Sequence, residues 1–308
     1  MIKSIRITLL ILLVLLSVCF SNESMAQQTI EAKYPGLFNS ALKLAVPDSL
    51  QADEILISEN INITRSQLDS ELGNSPKHLQ DQLKENEFFV LENLATGKFI
   101  IAEAREWSAS KKIDTKNMKE SDLIRRYLEA LTSDITVSTE EAMKAYKENA
   151  GAFGDAKFKD VEPFLKNEMI NEKKQAFVEK YISELGKRIV IKINDDWAKS
   201  LHQKAINNPV DKLRRSDMPS LIDFGAGGCR PCEMMTPILE ELKKEYEGIM
   251  NVEFVNVRDN QILGSRYGIS SIPVQVFFDK EGNEFYRHIG FFPKNSIVAK
   301  LKEMGVIR

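Results

Sequence analysis

Apolar positions recur at two different spacings along this chain, and the change from one to the other divides it. From about residue 55 to 193 the repeat is mostly helical. Ile55-Leu56-Ile57 reads as a short strand. Thr64-Arg65-Ser66-Gln67 then has the form of a capping box, opening a helix with Leu68 and Leu72 on one face. A long helix is predicted from about Leu79 to Trp107, broken or bent around Thr96-Gly97. Others are predicted over Glu120–Leu131 and from Thr139 to about Asn149, the latter capped by Ser138. Val161, Leu165, Met169, Phe177, Tyr181 and Leu185 keep helical spacing between Lys159 and Leu185, with Gly186 as the expected C-cap. Ile189-Val190-Ile191-Lys192-Ile193 closes the region as a strand. Residues 27 to about 54 are mixed, and 194–218 form a bridge with one or two helical turns, broken at Asn207-Asn208-Pro209.

Beyond the bridge the period alternates. A strand over 220–224 leads to a helix over about 230–247, then a strand at 252–257 and a short helix around 260–267. A hairpin of 274–278 with 285–288 follows, and a helix over 294–304 ends the pattern. Strand–helix alternation closed by a hairpin argues an α/β layer fold. The chain therefore reads as multi-domain, with a mostly helical domain over 27–200, a linker over 201–212 and an α/β domain over 213–308.

The first residues set the expected compartment. Lys3 and Arg6 precede an apolar run, Ile7 to Phe20, too short to span a bilayer, and Ser24-Met25-Ala26 supplies small residues for signal-peptidase cleavage. Residues 1–26 are thus expected to be a signal peptide, and the mature chain to be exported and periplasmic. The alternative is a lipid anchor on Cys19 in Leu16-Ser17-Val18-Cys19, which would attach the protein to a membrane. Charge changes little: 42 basic and 45 acidic residues are interleaved, with no basic stripe carrying aromatics, so nucleic acid is not expected as a partner.

The chemistry concentrates at Gly227-Gly228-Cys229-Arg230-Pro231-Cys232, where the strand over 220–224 turns into a helix. The unpaired N–H groups and dipole of a helix start stabilise a thiolate at Cys229, and Cys232, a turn further on, is placed to resolve a mixed disulfide. A structural zinc site needs two more ligands at paired spacing; Cys19 is distant and His78, His202 and His288 are isolated. Dithiol redox chemistry is expected, with no metal and no cofactor. In an oxidising compartment, two cysteines this close are a catalytic pair rather than a framework of disulfides.

From about 213 to 308 the sequence resembles thioredoxin. Asp223 lies in the strand before the motif, where that family carries a buried acid; Pro231 stands between the cysteines; Pro237 falls where the family's active-site helix kinks. Ile272-Pro273, after Tyr267-Gly268-Ile269, matches the loop whose cis-proline faces the dithiol, and Gly290 falls near the strand end bordering the peptide groove. The resemblance implies a central mixed sheet and a protein-disulfide oxidoreductase. It further implies Cys229, Cys232 and Asp223 as catalytic residues, with Ile272, Pro273, Arg230 and Pro231 against the client. The expected partners are disulfide-containing or unfolded polypeptides and a membrane thiol-reductant carrier.

Departures bear on direction. The family's tryptophans before the first cysteine are replaced by Gly225 and Gly228, its buried lysine partner of the acid is missing with Phe254 near its place, and Arg230 replaces a glycine. A cation beside Cys229 favours the thiolate and raises the reduction potential, whereas a buried base under Cys232 suits a reductase. Reductase is the expected role; isomerase and oxidase remain alternatives. The helical region more faintly resembles the N-terminal domain of SurA-type periplasmic chaperones. The likeness rests on Ile61-Asn62-Ile63-Thr64-Arg65-Ser66-Gln67-Leu68, Val137-Ser138-Thr139-Glu140-Glu141 and the long helix returning to a strand. Only Gly151 to Lys159 occupies the slot where such proteins often carry a parvulin domain, so prolyl isomerase activity is not expected. A chaperone or binding module with an accessory thioredoxin domain is the alternative to an oxidoreductase with an attached client-binding domain.

Overall fold

The computed structural model describes residues 29–59, 61–148, 153–154 and 156–307. The expected signal peptide and Cys19 lie outside the described residues. So do parts of the Gly151–Lys159 slot, namely Gly151, Ala152 and Asp155.

The N-terminal unit begins with the single turn α1 (Ile30–Lys33), followed by β1 (Val46–Asp48), β2 (Glu54–Ser58) and β3 (Ile61–Thr64). The helices α2 (Arg65–Asn74), α3 (Gln80–Glu85), α4 (Glu87–Ser110), α5 (Glu120–Leu131), α6 (Thr139–Glu148) and α7 (Phe158–Arg188) come next. The strand β4 (Ile191–Asn194) then returns to the start, pairing parallel with β1 and antiparallel with β2. The sheet order is β1-β4-β2-β3, so the last strand of the unit is locked between its first two. The strands β1 and β3 were not anticipated; they are three and four residues long, too short for alternation to register. The capping box at Thr64 is present in both directions, and Ser138 with Glu141 forms the equivalent pair at the start of α6.

Two helical expectations are corrected. The break expected at Thr96-Gly97 falls instead at Asn86, whose side chain donates to the Gln82 carbonyl (2.7 Å) and whose backbone leaves the helical region. Gly97 stays helical because Leu91, Ala95 and Phe99 bury the face of α4 that crosses it, which outweighs a glycine cost of about 1 kcal/mol. Gly186 is not a C-cap. It lies inside α7, buried, where a Cβ would stand 2.5 Å from the Ala41 carbonyl oxygen; glycine permits the helix to rest on that backbone.

The segment expected as a linker, 201–212, carries parts of two helices. Residue 201 belongs to a three-turn helix, α8 (Asp195–Ala205), and 209 opens another, α9 (Pro209–Arg214), started by Asn208 and Pro209. Val210 and Asp211 in α9 are buried. A polar, proline-punctuated sequence hid a helix whose stability is tertiary.

The C-terminal unit follows the expected order: β5 (Ser220–Gly225), α10 (Arg230–Glu245), β6 (Asn251–Asn256), α11 (Gln261–Arg266), β7 (Val274–Phe278), β8 (Glu284–Ile289) and α12 (Lys294–Glu303). The mixed sheet has order β6-β5-β7-β8, with β5 parallel to β6 and antiparallel to β7. Leu221, Val252 and Phe277 join Met235, Leu239 and Leu242 of α10 in one core layer; Ile222, Phe224 and Val276 pack the other face with Val210 of α9.

The two units meet through α11. Ile262 is buried in the N-terminal core, and its N–H donates to Gln82 Oε1 (3.2 Å). Arg266 is buried: its guanidinium pairs with Asp211 (3.0 Å), donates to the Ala205 carbonyl (3.3 Å) and lies over the Phe88 ring (4.4 Å). Tyr267 donates to the other oxygen of Asp211 (2.7 Å).

Candidate redox site

The strand β5 is buried along its whole length, which fixes Asp223 and Gly225 relative to the sheet. The chain then turns through exposed Gly227 and Gly228 and enters α10 with Cys229 as N-cap, its sulfur accepting from the Cys232 N–H at 3.4 Å. Pro231 sits in the first turn, where a missing N–H costs nothing. Cys229 and Cys232 are joined as a disulfide with their Cα atoms 5.3 Å apart. The two sulfurs differ in environment: Cys229 is half-buried at the helix start, whereas Cys232 is 3% exposed beneath it.

Pro237 lies inside α10, as expected. The Ile272–Pro273 bond is cis, Pro273 is buried and Ile272 half-buried. Because Val274 pairs with Phe224, Pro273 stands level with Gly225 at the end of the sheet from which the dithiol loop leaves. The Gly290 N–H donates to the Pro273 carbonyl (2.8 Å), tying the loop to the end of β8. Arg230 and Pro231 are exposed on the rim. A second arginine, Arg258, approaches the same rim: a Cβ on Gly228 would lie 4.0 Å from its Nη1.

Asp223 has no exposed surface. Its Oδ1 accepts from Gln275 Nε2 at 2.7 Å, and Oδ2 has no hydrogen-bond partner among the described residues. Burial raises its pKa to about 6, with the Gln275 hydrogen bond pulling the other way. A carboxyl titrating there exchanges protons readily near neutral pH. Gln275 was missed in the sequence. Its signal is a lone amide in the otherwise apolar strand Val274–Phe278, in register with Asp223. Phe254, expected near the place of a missing lysine, is the register partner of Asp223 on its other side.

A buried acid, a dithiol split between a helix start and the layer below it, and a cis-proline loop on one sheet end define a thiol–disulfide oxidoreductase. The thioredoxin family profile matches residues 198–303. Thioredoxin of Rickettsia bellii is 40% identical over 88 residues, which are 29% of this chain and 83% of that protein. Thioredoxin of Rickettsia felis is 43% identical over 87 residues, 28% of this chain and 82% of its own. That of Pyropia yezoensis is 36% identical over 104 residues, 34% of this chain and 89% of its own. The chain belongs to the thioredoxin family through this C-terminal domain.

Proposed function

We propose that this protein is an exported reductase of disulfides in polypeptide clients, with the region 27–200 holding the client near Cys229. The observation that carries the redox part is the pairing of a half-buried Cys229 with a buried Cys232 in a domain whose buried acid titrates near neutrality. In the reaction, the Cys229 thiolate attacks a client disulfide, forming a mixed disulfide and releasing one client sulfur as thiolate. Cys232 gives its proton to Asp223 and its thiolate attacks Cys229 Sγ. The Cys229–Cys232 bond forms, the second client sulfur leaves as thiolate and takes up a proton, and the client has gained two electrons. An external dithiol, such as a membrane thiol-reductant carrier, restores the pair.

Ile272, Pro273, Arg230 and Pro231 are assigned to the client-facing rim. Export rests on Lys3, Arg6, the apolar run to Phe20 and Ser24-Met25-Ala26. Client holding rests on the SurA-like sequence pattern and on the long helix α7, where Phe164 is 65% exposed and Phe177 39%. The same aromatics favour the second reading, a chaperone with an accessory redox domain. A reductant-coupled assay on full-length protein separates them: the first reading requires turnover that Cys229→Ser abolishes, and the second predicts suppressed client aggregation with no such turnover.

A further inference from the structure

Gly225 closes β5 directly against the dithiol. A Cβ placed there would stand 3.3 Å from Cys232 Cβ and 3.4 Å from its sulfur, and only 2.7 Å from Cε2 of Phe254. The space beside Gly225 is thus already filled, by a ring that arrives from the neighbouring strand. Register explains how. Phe254, Asp223 and Gln275 lie side by side across β6, β5 and β7, and in-register residues of adjacent strands project from the same sheet face. That face also carries Leu221, Val252 and Phe277, which pack under α10. Gln275 is fully buried on the inner side of Asp223; on the outer side β6 is the edge strand, and Phe254, 44% exposed, is what stands there.

We propose that Phe254 is a positioning residue for the resolving step: its ring takes the space beside Gly225 and closes the sheet edge over Asp223 and Cys232 against water. This rests on the thiol–disulfide reading above. A large aromatic surface laid over a carboxyl withholds solvent from it, and the missing side chain at position 225 is the counterpart of the ring rather than a gap. Titratable groups on the elements beside β5 are engaged elsewhere. Lys243 of α10 pairs with Glu253 of β6 (3.7 Å), and His288 of β8, in register with Gln275, lies 3.2 Å from the Phe291 carbonyl and stacks on Phe292. Arg230 and Glu233 in the first turn of α10 are exposed. Substitution of Phe254 therefore acts on Asp223 chiefly through water access.

The test compares wild type, Phe254→Ala, Phe254→Leu and the exchange Phe254→Ala/Gly225→Trp in the full chain. It uses two readouts: the acid limb of Cys229-dependent turnover, and the titration of Asp223 followed by NMR with isotope-labelled aspartate, assigned with Asp223→Asn. Opening the edge should move both midpoints down by about one pH unit in Phe254→Ala, toward the ordinary carboxylate range. Phe254→Leu should move them less, and an aromatic restored at 225 should return them toward wild type. The alkylation profile of Cys229 should not move. Unchanged titration of Asp223 in Phe254→Ala overturns the proposal, whatever the activity. If Phe254→Ala does not fold, Phe254→Leu carries the test with a smaller shift. Absence of Cys229-dependent turnover in wild type would instead strike the functional reading, and the NMR titration would still decide the role of Phe254.

Discussion

Gln275 and Asp223 face each other across β7 and β5, and their hydrogen bond, 2.7 Å from Nε2 to Oδ1, is the one side-chain hydrogen bond that Asp223, an acid with no exposed surface, makes among the described residues. The amide steadies the ionised form while burial opposes it, and burial dominates. Asp223 therefore weakens the fold where it is charged. Its folded pKa of about 6 lies above the ordinary value of 3.8, so the folded state holds the proton longer and stability falls as pH rises through that window. Asp223→Asn should stabilise the protein at neutral pH by about 1–3 kcal/mol, the gain shrinking as pH falls from about 6 and gone below about 4. It should also slow turnover near neutrality. Thermal melts across pH and steady-state rates check both; unchanged kinetics would remove Asp223 from the mechanism.

Gln275→Leu deletes the donor that favours the carboxylate, so the acid limb of turnover should move to higher pH, opposite to the shift expected for Phe254→Ala. A pH–rate profile that stays in place would show that the amide serves packing alone.

The half-buried sulfur of Cys229 and the buried one of Cys232 should have separate roles. Cys232→Ser should accumulate mixed disulfides with clients, because Cys229 still attacks and nothing resolves the product. Cys229→Ser should trap none. Non-reducing gels with a disulfide-containing client give the answer, and trapping by Cys229→Ser would reverse the assignment.

Much of this site was legible because its chemistry is local. The strand–turn–helix around Cys229 and the order of elements over 220–304 follow from short-range periodicity and spacing, whereas Asp223 and Pro273 were expected from the resemblance to thioredoxin. What was hidden depends on partners distant in sequence: Gln275 matters only because β7 lies beside β5, and Phe254 only because β6 brings its ring to Gly225. The same holds for Gly186, which ends no helix but meets Ala41 across the N-terminal core, and for 201–212, whose helical turns are held by the buried Asp211.

Arg266 and Asp211 form a pair with almost no exposed surface at the junction of the two units. Removing one partner strands the other charge, so Arg266→Met should cost about 3–5 kcal/mol, and Arg266→Met with Asp211→Leu should recover part of it. Denaturant unfolding of Arg266→Met, Asp211→Leu and the double variant measures the coupling. Equal losses in the single and double variants would show that the charge pair is not what holds the junction.

The direction of the reaction is tested most directly by the reduction potential of the Cys229–Cys232 pair in the full chain, obtained by equilibration with thiol–disulfide buffers. A reductase requires a value near that of thioredoxin, about −270 mV, with Arg230 moving it only slightly upward. A value near −180 to −120 mV, roughly the range of isomerases and strong oxidants, would contradict the reductase account.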